Sequence, residues 1–270
     1  MLDHDDKPVP NEVEIPSDEE EMLPEDMIVD DKEDNQPQII IRETNKVTSG
    51  IEDHINLYNE IYDLSRTCQK SIVVVAGVNQ DIDWFNNSYE SQNTTTGLIV
   101  ANNGVELLIL TDSSIVGGSE SIEVTFFNEL VANGTIKEMD TNTGLAIVAI
   151  PVEELTATVL DTSNIARLGN SKTNRLFAAP GFALGRPLGN VVSIENGMIT
   201  SKGNILNMVD NNYELFTTDM NGNATSNGII YNLNGEVVGI IYQKNGMFQQ
   251  NSISAIGISG MMHGYLAFNK

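Results

Sequence analysis

Few residues in this chain are of types that do chemistry, and their spacing narrows the choice further. The histidines are His4, His54 and His263, the single cysteine is Cys68 and the single tryptophan is Trp84. One thiol rules out an intrachain disulfide and a cysteine zinc cage. The three imidazoles lie in an acidic leading stretch, on a helix-patterned segment and near the end of the sequence, so each is expected to be solvated or packed rather than catalytic. Asp219-x-Asn221-x-Asn223 starts like a calcium loop, but it lacks the turn glycine at the sixth place and the carboxylate at the twelfth. No metal and no cofactor are expected. Trp84 and Phe85 stand in the polar stretch Asp83-Trp84-Phe85-Asn86-Asn87. They either tuck onto the rim of the fold or form a recognition knob, because exposed aromatic side chains are rich in binding energy.

Several kinds of element must position these groups. The leading stretch, residues 1 to about 38, is acidic, proline-punctuated and poor in aromatics, and it carries over half of the net charge of −24. Such a composition buries too little apolar surface to offset chain entropy, so this stretch is expected to be disordered, a solvated spacer. Met22, Leu23, Met27, Ile28 and Val29 break up the acids and could form a short docking motif. An acidic chain repels nucleic acid and anionic lipid, and both are set aside as partners. No apolar run is long enough to cross a bilayer and no leader pattern is present, so no membrane contact is expected of the chain itself.

Ser49 and Glu52 have capping-box spacing, and Ile51, Ile55, Tyr58 and Ile61 or Tyr62 recur at helical intervals. These predict an amphipathic helix from about Gly50 to Gln69 whose apolar stripe packs on the domain or on a second copy. Beyond Lys70, short runs rich in Val, Ile, Thr and Phe alternate with Gly and Asn turns, the pattern of an all-β barrel or sandwich. One set of strands is expected at Ser71–Val78, Thr95–Asn102, Val105–Asp112, Ile122–Phe127, Val131–Glu138 and Leu145–Pro151. A second set is expected at Arg175–Ala179, Val191–Thr200, Ile205–Val209, Tyr213–Thr218, Gly228–Tyr231, Glu236–Gln243 and Ile253–Ile258. Asn232–Gly235 reads as a hairpin turn feeding a buried strand.

Six short motifs, taken in order, resemble the HtrA/DegP-like group of trypsin-like serine proteases. Glu106–Val116 is similar to the strand that ends in that family's Leu-Thr-Asn-x-His-Val-Val, and Asp140–Ile150 is similar to its Asp-x-x-x-Asp-Leu-Ala-Val-Leu-Lys-Ile. Leu168–Ser171, Ala183–Gly189, Gly197–Ser201 and Thr218-Asp219 followed by Asn232–Ile240 match the family's later segments. The resemblance covers about residues 70 to 260. It implies an all-β chymotrypsin-like fold of two six-stranded antiparallel barrels with the site in the cleft between them. The organisation it suggests is an acidic tail over 1–45, the helix over 46–70, barrels over 71–160 and 161–259, and a connector over 260–270. Many relatives carry a PDZ module downstream, and Met261–Asn269 is expected to begin a connector of that kind.

Serine attack on a peptide carbonyl requires a base, a carboxylate that orients the base, and backbone N–H donors for the oxyanion. Carried over from the family, the base position falls on Ser114, the orienter on Gly144 and the nucleophile on Ser226. A serine hydroxyl does not titrate in a useful range, and a glycine has nothing with which to orient a base. The family's glycine-rich nucleophile loop is matched here by Ala224-Thr225-Ser226-Asn227-Gly228, so Ala224, Thr225 and Asn227 stand where the oxyanion donors would be. A Ser-Lys pair would have to draw on Lys202 or Lys244, and the spacing supports neither.

The resemblance therefore implies a pseudoprotease, a non-catalytic protein- or peptide-binding or scaffolding domain. Two alternatives stay open: an active endopeptidase with a non-standard site, and a purely structural domain. The resemblance also implies a bacterial cell-envelope location and the option of homo-oligomers.

Overall fold

The computed structural model describes residues 50–140, 143–189, 191–207, 212–220, 228–241 and 253–257. The acidic tail and the connector expected at the two ends lie outside the described residues. Helix α1 spans Ile51–Cys68 and α2 spans Ser113–Val116. The first six strands are β1 (Ile72–Ile82), β2 (Ser88–Asn102), β3 (Glu106–Asp112), β4 (Ser121–Thr125), β5 (Val131–Asp140) and β6 (Leu145–Pro151). After α3 (Ala157–Thr162) come β7 (Pro180–Leu188), β8 (Val191–Asn207), β9 (Asn212–Thr218), β10 (Ile229–Asn232), β11 (Val237–Ile241) and β12 (Ile253–Gly257). The strands close into two antiparallel barrels, in the orders β1-β2-β3-β6-β5-β4 and β10-β11-β12-β9-β8-β7.

The apolar runs follow from this arrangement. Val73 and Val75 of β1 point into the first barrel with Ile99, Ile109, Val148 and Phe126. Their neighbours on the opposite face, such as Ile72, Leu98, Leu110 and Ile147, share a second core with Phe182, Leu184, Tyr231 and Ile240 of the second barrel. Strands buried on both faces must be apolar at successive positions, which is why Ile72–Ala76 and Leu145–Ile150 are unbroken rather than alternating. Tyr231 stacks on Phe182 with ring centroids 5.5 Å apart, and its hydroxyl lies 3.1 Å from Ser71 Oγ. Burial pushes that phenol well above its usual range, so it stays protonated.

Arg186 joins the barrels from β7. Its backbone N–H donates to Thr96 Oγ1 at 2.9 Å and its Nη1 donates to the Phe126 carbonyl at 3.2 Å. Burial lowers the guanidinium's pKa, while the charge of Glu129 acts in the opposite direction.

Helix α1 starts one residue later than the spacing suggested. Gly50 N–H donates to the Asp53 carboxylate at 3.3 Å and Asp53 N–H donates to the Gly50 carbonyl at 3.1 Å, while Ser49 of the expected capping box lies outside the described residues. Only one side of the helix is covered. Ile61 and Cys68 are buried with Leu64 packed beside them, while Ile51, Ile55, Tyr58 and Tyr62 are exposed. Cys68 Sγ faces the Gly235 carbonyl, and burial pushes its thiol up to about 11. Among the described residues no helix is long and apolar enough to cross a membrane.

Two strand assignments need correction. Arg175–Ala179 is not a strand: Asn174–Leu176 is a 3-10 turn and Ala178 takes φ of 59°, which breaks extension until Pro180. Val191–Thr200 and the described part of Ile205–Val209 belong to one strand, β8, whose register shifts around Gly203 at φ 85°. The turn at Asn232–Gly235 is present, with Asn232 Oδ1 accepting from the backbone of Asn234 and Glu236, both at 3.0 Å.

Candidate active-site corner

The end of β3 and the start of β6 are directly paired, Asp112 opposite Leu145, so what precedes and follows them is held together. Asp112 caps α2 by accepting Ser114 N–H at 2.8 Å. Ser113 N–H donates to the Gly144 carbonyl at 2.9 Å. One backbone hydrogen bond therefore places the segments bearing positions 114 and 144 side by side. The Ser114 side chain is exposed at this corner. Gly144 closes a turn in which its N–H donates to the Asp140 carbonyl at 2.9 Å and Thr143 Oγ1 donates to the Asp140 carboxylate at 2.9 Å. Gly144 sits at φ +72°, where side-chain-bearing residues are strained, although a Cβ there would meet no atom within 4 Å.

Sequence reasoning missed the residue that sets how closely α2 approaches the barrel. A Cβ on Gly77 would lie 2.1 Å from the Ile115 carbonyl and 2.3 Å from Ser119 Oγ. Only a glycine on β1 lets α2 lie that close, and Ser119 Oγ then bonds to the same Ile115 carbonyl at 2.9 Å. An isolated glycine in an apolar strand was the available signal, since such a glycine marks close backbone approach.

On the second barrel, Thr218 and Asp219, which precede the stretch onto which the family's nucleophile loop was carried over, are clamped to β8. Thr218 Oγ1 donates to the Met198 carbonyl at 2.9 Å, and Met198 N–H donates to Asp219 Oδ1 at 2.7 Å. Gly197 makes room for this, because a Cβ there would fall 2.2 Å from Asp219 Oδ1. Beyond that stretch, Ile241 N–H donates to the Gly228 carbonyl at 2.9 Å. Ser226 and its neighbours Ala224, Thr225 and Asn227 lie outside the described residues.

The other nitrogen bases are placed as follows. His54 is exposed on the first turns of α1, and His4 and His263 lie outside the described residues. Lys202 Nζ donates to the carbonyls of Lys172 and Thr173, at 2.5 and 3.0 Å, so its ammonium is held by main-chain oxygens. Lys244 lies outside the described residues. Among the described residues, no group of three or more His, Cys, Asp or Glu side chains could hold a metal ion. Trp84 and Phe85 are 96% and 81% exposed, which overturns the reading in which they tuck onto the barrel rim.

The sequence is similar to known proteins. The family model for a trypsin-like peptidase domain matches residues 95–240. A probable periplasmic serine endoprotease, DegP-like, of Hahella chejuensis is 30% identical over 164 residues, 59% of this chain and 32% of that protein. The putative serine protease HhoB of Synechocystis is 28% identical over 153 residues, covering 55% and 34% of the two chains. The serine protease Do-like HtrA of Lactobacillus helveticus is 25% identical over 180 residues, covering 65% and 41%. The chain thus spans about a third of the length of the curated relatives it matches. With two six-stranded barrels, a family match over more than half its length and HtrA/DegP-like relatives on every side, this chain belongs to the trypsin-like peptidase family as an HtrA-like serine protease homologue.

Proposed function

We propose that this chain is a pseudoprotease, a protease-derived domain that binds protein or peptide without cleaving it. The observation that carries the reading is the corner itself. The backbone bond from Ser113 to Gly144 sets positions 114 and 144 against each other, and their side chains are a hydroxymethyl group and a hydrogen atom. A serine hydroxyl at this point takes no proton from a neighbouring nucleophile near neutral pH, and nothing at 144 would orient or charge-stabilise an imidazole. The nearby carboxylates are committed elsewhere: Asp112 caps α2 and Asp140 closes its own turn. Catalysis by a triad depends on its parts acting as a unit, so loss of base and orienter together removes most of the rate enhancement. What remains is a barrel pair joined through a large shared core, a rigid platform on which a ligand can dock.

The test is to expose the purified chain to a fluorophosphonate probe and to unfolded casein, with Ser226→Ala in parallel. No labelling and no cleavage in either form is the expected result. Labelling that disappears in Ser226→Ala would reveal a base elsewhere in the chain and make it a working peptidase.

A further inference from the structure

Charge is distributed unevenly within the barrels as well as along the tail. The whole sequence carries a net charge of −24, yet no acid lies between Asp161 and Glu195. That window holds Arg167, Lys172, Arg175 and Arg186. Arg167 is engaged with Glu236 at 3.3 Å, and Arg186 is buried where the barrels meet. Lys172 and Arg175 stand exposed around the short turn Asn174–Leu176. A further cation reaches them from β8. Lys202 Nζ donates to the Lys172 carbonyl at 2.5 Å and the Thr173 carbonyl at 3.0 Å, which leaves one of its N–H donors for an outside acceptor. The ion pairs among the described residues, Lys137–Glu106 and Arg167–Glu236, use neither Lys172, Arg175 nor Lys202. Like charges gathered without a counter-charge repel one another, and an anion bound among them removes that cost.

An apolar group adjoins the cations. Leu176 is buried in the core of the second barrel, while Phe177 beside it is 60% exposed. Ala178 then takes φ of 59°, and its N–H donates to the Ile199 carbonyl at 2.9 Å. β8 thus holds an alanine in a strained conformation immediately after the exposed ring. Backbone strain of this kind persists only where its surroundings impose it, and it gathers at binding sites.

Charge also decides what fits. At physiological salt the Debye length is about 8 Å, so a ligand feels the cations it touches and the acidic remainder wherever it overhangs. Nucleic acids and anionic bilayers overhang and are repelled; a short acidic segment does not overhang. We propose that the surface formed by Lys172, Arg175, Lys202 and Phe177 binds an acidic peptide segment of a partner protein. Its carboxylates meet the cations, with the planar fork of Arg175 able to take one in bidentate fashion, and an apolar side chain of the segment rests on Phe177. Exposed ion pairs contribute little each, so the association is weak and falls with salt. This surface belongs to the second barrel, and the inference stands whether or not the corner on the first barrel supports hydrolysis.

Fluorescence anisotropy tests it, with the full chain titrated into a fluorescein-labelled peptide of glutamates flanking a central phenylalanine. Saturable binding that weakens as salt rises is expected. Lys172→Glu/Arg175→Glu should raise the Kd at least about tenfold, and Phe177→Ser about fivefold. Lys202→Met keeps the stem but loses the charge, and should raise it about threefold. Arg66→Glu/Lys70→Glu makes the same change in net charge at exposed residues of the helical segment and should leave the Kd near that of wild type. Circular dichroism confirms that each variant remains folded. No saturable binding by wild type, binding that survives Lys172→Glu/Arg175→Glu, or equal weakening in Arg66→Glu/Lys70→Glu would overturn the proposal. Tighter binding of single-stranded oligothymidylate than of the peptide would overturn it too, by making the surface a phosphate-backbone site. Self-association that Lys172→Glu/Arg175→Glu abolishes, without peptide binding, would give the surface to another copy and do the same.

Discussion

The corner at α2 and the tip of the arm that β1 and β2 form beyond Val78, a turn at Asp83–Asn87, are built by the same device. In each, one aspartate carboxylate accepts backbone N–H groups and fixes a tight turn, Asp112 at the corner and Asp83 at the tip. They differ in what the turn displays. The corner is packed against the barrel, with Val116 fully buried and α2 pressed on Gly77, yet positions 114 and 144 offer only a hydroxyl and a hydrogen. The arm tip packs against nothing and displays the two most exposed aromatic side chains among the described residues. Backbone precision and side-chain display are therefore separable: one tight turn is packed against its barrel, while the other holds two aromatic side chains out in water.

The largest expected effect comes from breaking the corner's packing. Gly77→Val forces a side chain into the Ile115 carbonyl and should lower unfolding free energy by about 1–3 kcal/mol, as overpacking does. Trp84→Ala/Phe85→Ala should change it by less than about 0.5 kcal/mol, since those side chains touch little. Urea unfolding of both variants measures the contrast, and equal effects would mean that the arm is packed in solution. Next in size is the cap. Asp112→Ala leaves Ser114 N–H without its acceptor and should cost about 1 kcal/mol, with faster hydrogen exchange confined to α2 and its neighbours. Exchange that stays at the wild-type rate would show that Asp112 does not hold the corner.

Putting the chemistry back sharpens the same point. Ser114→His/Gly144→Asp supplies an imidazole and a carboxylate at adjacent segments, but residue 144 must then hold φ near +72°, a strain of about 1–2 kcal/mol. The Cβ has room, so the double variant should fold. It should remain unlabelled by a fluorophosphonate, because the stretch matched to the family's glycine-rich oxyanion loop reads Ala224, Thr225 and Asn227. Labelling of the double variant would mean that two side chains alone separate this chain from a protease.

Much of this was legible in the sequence, for physical reasons. Unbroken apolar runs such as Leu145–Ile150 announce strands buried on both faces, and motif order fixed which strand follows which. Ser114 and Gly144 were singled out because each falls inside a motif that resembles one of the family's. Their adjacency needed the Asp112–Leu145 pairing, a contact between residues more than thirty apart. Arg186 stood inside a quoted motif, but nothing in Gly-Arg-Pro says that its guanidinium crosses to Phe126 on the other barrel. Ala178 misled the strand reading because a positive φ at alanine has no compositional signal. Trp84 could be read both ways, since a polar loop around an aromatic residue looks the same whether the ring turns in or out.

The smallest effect expected is a pH dependence confined to the arm. Hydrogen bonds from the Asn87 side chain and then its backbone N–H, with Phe85 N–H contributing less, hold the Asp83 carboxyl below its usual value near 3.8. A depressed carboxylate favours the ordered turn at every pH above the unfolded value, and that order is lost as pH falls through the lower, folded value. The fluorescence anisotropy of Trp84, the only tryptophan, reports the tip directly. It should stay constant from neutral pH down through the ordinary carboxylate range and fall only in more acid solution, provided the barrels remain folded by circular dichroism. In Asp83→Ala it should be low already at neutral pH, with global stability unchanged. Anisotropy equal to wild type in that variant would show that the ribbon holds the turn by itself, and the resemblance between tip and corner would then be one of shape without a shared cause.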